Sequence, residues 1–190
     1  MLIAVTGGIG SGKSVVSRVL TAMGYDVYDC DWRARRLIDG SREILGEIAA
    51  RISVDVVSGE WRLDRRALAA IVFADSEKLA ILNEITHGAV RRDLAEWAAA
   101  HAGSGKPVFV ETAILYESGI DRMADRVWEV VAPTEVRIER AMMRDGADRE
   151  SVERRIAAQA SERSGKHHDV RLIVNDGFRA VLPQVLSQLN

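Results

Sequence analysis

The chain has 190 residues, 47% of them hydrophobic by type and 28% charged, which excludes a disordered or fibrous protein and fits a single compact α/β domain with an appended lobe. Lys and Arg number 26 against 28 Asp and Glu, and the formal net charge of -2 supplies no overall field to gather nucleic acid or an acidic membrane. With one cysteine, Cys30, no secretory pattern, and no apolar run near the roughly 20 residues of a membrane span, a soluble cytoplasmic protein is expected, its partners neither nucleic acid nor membrane.

Residues 2–5 form a short apolar run closed by glycines, which predicts a strand buried on both faces of a parallel sheet. From Lys13, apolar residues at Val15, Val16, Val19, Leu20 and Met23 recur at helical spacing until Gly24, a natural residue just past a helix end. Residues 25–28 predict a second strand, which runs into Asp29-Cys30-Asp31. From Trp32 to about His101 the periodicity is helical throughout, with Asp64 and Ser76 as capping residues and a break near His87 and Gly88. This connection far exceeds the dozen or so residues a βαβ crossover needs, so it predicts a helical insertion. Residues 108–110 predict a third strand ending at Glu111, residues 127–132 a fourth stopped by Pro133, and residues 172–174 a fifth. Between the last two lies an arginine-rich helical stretch, 135–163, broken near Asp145-Gly146, and an amphipathic helix through Val181, Val185, Leu186 and Leu189 follows. Strands alternating with helices imply an α/β fold with a doubly wound, five-stranded parallel sheet.

Gly7-Gly8-Ile9-Gly10-Ser11-Gly12-Lys13-Ser14 has the G-x-x-x-x-G-K-[ST] spacing, between an apolar strand and a helix. Glycines let such a backbone curl so that its N–H groups converge on phosphate oxygens, and the first helical turn adds unpaired donors and the positive end of its dipole. Lys13 is then placed for the β and γ phosphates of ATP and Ser14 for Mg²⁺. Gly103-Ser104-Gly105-Lys106 repeats the centre of this motif, but Ala100 stands where the leading glycine belongs and Pro107 where the hydroxyl belongs, so it reads as a turn. Asp29 and Asp31 follow the second strand, at the sheet edge where open α/β folds bind ligands. Position alone leaves Asp31 between proton acceptance from an alcohol and helix capping. Glu111 is similarly placed between a magnesium-side role, acting through water, and a solvated strand end. Arg137, Arg140 and Arg144 form one helical stripe, readable as a lid over the phosphates. The interleaved Glu135, Glu139, Asp145, Asp148, Glu150 and Glu153 make a salt-bridged solvent face equally readable. The four histidines have no metal-ligand spacing.

The phosphate loop, followed by Asp29-Cys30-Asp31, resembles that of the dephospho-CoA kinase family. Leu63-Asp64-Arg65 with Val72-Phe73, the His87 segment ending at Val90-Arg91, Ile114-Leu115-Tyr116-Glu117, and Arg140, Arg144, Arg155 and Gln159 continue the likeness in order. The resemblance implies a P-loop kinase that phosphorylates the ribose 3′-hydroxyl of dephospho-CoA with ATP and Mg²⁺, giving CoA. It implies one domain, 1–190, with a core at about 1–31, 104–134 and 165–190, a helical acceptor-binding insertion at about 32–103, and an arginine-bearing lid at about 135–164. By resemblance, Lys13, Asp31 and Arg140 are catalytic, with Asp31 the base. Gly8, Gly10, Ser11, Gly12, Lys13, Ser14, Val15, Arg140, Arg144 and Asn175 take the nucleotide, and Thr6, Asp31, Arg35, His87, Arg91 and Glu117 the acceptor. The chain departs from the family pattern at Cys30, usually Ala, and at Gly88 and Ala113, both usually Pro. Near the end, Lys166 and Asn175 align only with a shift around Asp169. The competing readings are another small-molecule kinase, of the nucleoside monophosphate or shikimate type, and a GTP-dependent switch. The switch reading lacks an Asn-Lys-x-Asp guanine motif and an Asp-x-x-Gly.

Overall fold

The structure, a computed structural model, describes residues 1–162 and 167–189, excepting the side chains of residues 104 and 160–162. Lys166, at the edge of the family likeness, lies outside them. The described chain divides into two compact units, one comprising residues 1–29 and 100–190 and the other Cys30–Ala99.

The first unit is built on a parallel sheet of β1 (Leu2–Gly7), β2 (Val27–Asp29), β3 (Val108–Glu111), β4 (Arg126–Val131) and β5 (Val170–Val174), in the order β2-β3-β1-β4-β5. Every residue of β1 is buried, as its unbroken apolar run requires of a central strand covered on both faces. The chain leaves β1 toward β2 and β3, then crosses back to β4 and β5. The loop after β1 therefore occupies the point where strand order reverses, the crevice that α/β sheets use for ligands. Helices α1 (Lys13–Ala22) and α8 (Val181–Leu189) complete a core in which Val16, Leu20 and Val185 meet Ile3, Val5, Phe109, Trp128 and Ile173. Burial of each such aliphatic side chain contributes roughly 1.5–3 kcal/mol. This fixes α1, and with it the loop that opens α1, against the sheet.

The expected strand at 25–28 begins two residues later, because Tyr25 belongs to the end of α1. Its N–H donates to the Leu20 carbonyl at 3.0 Å, and the Gly24 N–H donates to Thr21 at 3.0 Å. With Gly24 at φ 81, these bonds form a Schellman closure. The fourth strand starts and stops one residue earlier than expected, and the fifth starts two earlier. The arginine-rich stretch forms α6 (Thr134–Asp145) and α7 (Arg149–Glu162). They part at Gly146, whose φ of 63 is the left-handed conformation that ends a helix. Residues 102–106 form a turn, with Gly105 at φ 68, leading into β3.

The second unit is helical: α2 (Cys30–Gly40), α3 (Arg42–Arg51), α4 (Arg65–Ala74) and most of α5 (Ser76–His101). It has its own core, centred on Leu45, Ile48, Val56, Leu68, Val72 and Ile85. Asp64 caps α4 as expected, its carboxylate accepting from the N–H groups of Arg66 and Ala67 at 3.0 and 2.9 Å. The cap of α5 is Asp75 and not Ser76, since the Asp75 carboxylate accepts from the N–H groups of Glu77 and Lys78. Nor does α5 break at Gly88. A glycine costs a helix about 1 kcal/mol, and the buried face of Ile85, Ala89, Val90 and Leu94 on either side outweighs it. No helix among the described residues is long and apolar enough to cross a membrane.

Candidate active site

The loop from Gly7 to Ser14 is shaped by hydrogen bonds to its carbonyls. Lys13 Nζ donates to the Gly7 carbonyl at 3.0 Å, Arg137 Nε to the Ile9 carbonyl at 2.9 Å, and Asn175 Nδ2 to the Ser11 carbonyl at 2.9 Å. In a trans peptide the C=O of one residue and the N–H of the next point in opposite directions. Anchoring carbonyls 7, 9 and 11 therefore turns the N–H groups of Gly8, Gly10 and Gly12 away from the three braces. Gly10 and Gly12, at φ 74 and 92, hold left-handed conformations that L side chains rarely adopt. A β-carbon on Gly10 would strike the Arg137 carbonyl, and one on Gly12 the Asn175 amide.

Helix α1 starts at Lys13 with no side-chain cap and no acid in its first turn, so the positive end of its dipole is left to an external anion. Ser14 and Val15 are exposed beside it, whereas Thr6 and Ser11 are buried. Ser11 Oγ has no hydrogen-bond partner among the described residues and lines a cavity of about 50 Å³ with Gly8, Val130, Val131, Ala132 and Arg137. Glu111 ends β3, with Val5 and Asp29 opposite it in the ladder. Glu117 is exposed in the turn that follows.

The arginine stripe divides. Arg137 and Arg140 lie toward the loop and the end of β5, with Arg140 Nη1 donating to the Asn175 carbonyl at 2.9 Å. Arg144 is instead held by Asp145, to which Arg155 also donates, at 2.7 and 2.8 Å. These hydrogen bonds, that from Arg144 foremost, keep the Asp145 carboxyl far below the usual carboxylate range. Farther along, Arg149 bridges Glu135 and Glu153, and Arg154 meets Glu150. The salt-bridged reading thus describes Arg144, Arg149, Arg154 and Arg155, whereas Arg137 and Arg140 bond to the backbone carbonyls of Ile9 and Asn175. Asn175 is buried and its amide is committed to the loop backbone. The brace made by Arg137, and that made by Gln159 on the Ile9 N–H, carry no local sequence signal, because Ile9 is 128 and 150 residues away from them.

In the helical unit, Asp31 is exposed in the first turn of α2, which begins directly after β2, and Arg35 follows one turn later. His87 and Arg91 share a face of α5. Burial, reinforced by the Arg91 charge, lowers the His87 pKa below its ordinary value. A histidine that resists protonation in the fold but accepts a proton once unfolded contributes stability above the unfolded pKa of about 6.5 and loses it as pH falls through the folded pKa. Between about pH 7.5 and pH 5.5 the Tm of the native chain is therefore expected to fall more than that of His87→Gln; parallel Tm curves in scanning calorimetry would contradict this.

The dephospho-CoA kinase profile matches residues 1–180. A dephospho-CoA kinase of Geobacter sulfurreducens is 41% identical over 190 residues, covering 99% of this chain and 96% of the relative. One from Porphyromonas gingivalis is 39% identical over 189 residues, covering 97% and 90%.

This chain belongs to the dephospho-CoA kinase family.

The kinase also shares its architecture with solved structures. A Thermus thermophilus protein matches at a TM-score of 0.77 with 36% identity, over 100% of this chain and 98% of that one. The dephospho-CoA kinase of Campylobacter jejuni matches at 0.71 with 25% identity, over 98% and 94%. Shikimate kinase from Bacteroides thetaiotaomicron, at 0.56 and 13% identity over 100% and 96%, shares the fold alone. Family membership makes the protein an ATP-dependent phosphotransferase with a P-loop fold, and accounts for an uncapped helix behind a braced glycine loop.

Proposed function

We propose that this kinase transfers the γ-phosphoryl group of ATP to the ribose 3′-hydroxyl of dephospho-CoA in the cytoplasm, yielding CoA and ADP. The observation that carries the reading is the phosphate loop, its carbonyls held outward and its helix N-terminus uncapped, in a chain whose family likeness covers both units. The bond from the acceptor oxygen to the γ phosphorus forms as that from phosphorus to the bridging oxygen breaks, and the hydroxyl proton passes to the Asp31 carboxylate. Lys13 and Arg140 offset charge on the phosphoryl oxygens, with Gly8, Gly10, Ser11, Gly12 and Val15 around the phosphates. Arg35, His87, Arg91, Thr6 and Glu117 orient the acceptor. Arg144 takes part in nucleotide binding once it exchanges Asp145 for phosphate, and Asn175 contributes from beneath the loop.

No cluster of three or more metal-ligating side chains exists among the described residues. Mg²⁺ takes few protein ligands and keeps waters and phosphate oxygens. The oxygen donors here, the Ser14 hydroxyl and the Glu111 carboxylate through water, would hold it, and when bound it neutralises phosphate charge.

ADP release measured across a panel of acceptors tests the reading. Dephospho-CoA is expected to be turned over at least a hundredfold faster, on the order of 10², than shikimate or any nucleoside monophosphate. Comparable rates with either would favour the rival kinase reading, and preferential GTP binding would favour a switch.

A further inference from the structure

Both peptide groups of Ile9, at the tip of the phosphate loop, are bound by side chains from the arginine-bearing helices. The Ile9 N–H donates to Gln159 Oε1 at 2.8 Å, and Arg137 Nε donates to the Ile9 carbonyl at 2.9 Å. Gln159 is 8% exposed, and its Nε2 donates onward to the Ala113 carbonyl at 3.1 Å, just beyond β3. Each atom of that amide has a partner only its own type can serve, so its orientation is fixed. The Ile9 side chain packs on the apolar cluster of Ile138, Ala141 and Val152 that joins α6 to α7. The guanidinium of Arg137 occupies the space that a β-carbon on Gly8 would take, and the Arg137 carbonyl the space of one on Gly10.

We propose that Gln159 and Arg137 are positioning residues for nucleotide binding: together they fix the two peptide planes at Ile9, and so set the donors of the phosphate loop from α6 and α7. The planarity of the peptide carries the argument. With the Ile9 N–H turned to Gln159, the Gly8 carbonyl must point the other way, where it accepts from the Ser11 N–H at 3.0 Å and closes the turn. With the Ile9 carbonyl turned to Arg137, the Gly10 N–H must point away from α6. Neither residue has to touch ATP. Gln159 also ties the loop to the segment after Glu111, so three separate stretches of chain hold one register. The α6–α7 pair thus supports the loop at Ile9 through both of its peptide groups.

The inference rests on the loop holding nucleotide and not on which acceptor is used, so its first test omits the acceptor. ATP affinity of the full chain is measured by calorimetry for Gln159→Met, which keeps the volume but not the polar atoms, for Arg137→Lys, which keeps the charge but has no nitrogen at the Nε position, and for the double variant. Gln159→Met is expected to weaken ATP binding about tenfold, the scale of one or two lost hydrogen bonds, and Arg137→Lys about fivefold. Because both act through one residue, the double variant is expected to lose less than the product of the two. In turnover, KM for ATP is expected to rise with each while KM for the acceptor stays within about twofold. Native ATP affinity in Arg137→Lys, fully multiplicative losses, or a lowered Tm with both KM values unchanged would overturn the proposal. Should Gln159→Met not fold, Arg137→Lys alone decides it.

Discussion

Lys13→Ala is expected to lower kcat/KM by a factor on the order of 10²–10³, the cost of removing one preorganised cationic donor from a phosphoryl-transfer site, and to leave the fold standing. The two effects separate because of where Lys13 lies. Its backbone opens α1, which is held by Val16 and Leu20 against the sheet, but its side chain makes a hydrogen bond to the Gly7 carbonyl at 3.0 Å and is not part of that core. Losing the bond costs about 1 kcal/mol, or roughly 2–4 °C of Tm for a chain of this length. The rate loss follows because alanine supplies no positive charge to follow the phosphoryl group as it moves. Steady-state ADP release and scanning calorimetry on the same preparation check both halves. A variant within threefold of native turnover would remove Lys13 from the chemistry, and a collapse of Tm would make its role structural.

Much of this arrangement was legible because its signals are local. A central strand covered on both faces has to be a continuous apolar run, and β1 is. The glycine loop is a contiguous motif whose flanking strand and helix can be read beside it. That the sheet is parallel follows from strands alternating with helices plus one long insertion, although the order of its strands does not. Misplaced boundaries trace to bonds that composition does not encode. The Tyr25 N–H closes α1 and so delays β2, and the Asp75 carboxylate reaches the first N–H groups of α5 where Ser76 offered an equally good cap. The arginine stripe shows the limit most plainly. Three arginines at helical spacing predict one face, yet Arg137 binds the loop, Arg140 the backbone after β5, and Arg144 a carboxylate one residue away. Which partner each takes depends on chain segments far off in sequence, and no periodicity reports that. Gln159 is the extreme case, a single amide inside a charged stretch whose side chain bonds to Ile9 and Ala113, both far off in sequence.

Asp31→Asn separates the two readings that position leaves open for this residue. Asn has the same shape as Asp and, inside the first turn of α2, gives up only the charge, so if Asp31 serves only the start of α2, the variant should keep its rate and lose no more than about 1 kcal/mol of stability. If the carboxylate accepts the proton of the acceptor hydroxyl, the amide cannot, and kcat should fall by about 10²–10⁴, the usual worth of a general base. ATP affinity is expected to stay within about threefold, since the phosphate-loop braces come from Lys13, Arg137, Asn175 and Gln159 and none from Asp31. Loss of the negative charge from the first turn of α2 should cost only about 0.3–1 kcal/mol through the helix dipole, too little to confuse with the rate effect. Single-turnover rates at saturating ATP and acceptor, alongside ATP binding measured separately, distinguish the cases. A fall in kcat with binding intact places the proton on Asp31. Near-native turnover returns Asp31 to helix initiation and moves the search for the base to Asp29, two residues earlier at the end of β2.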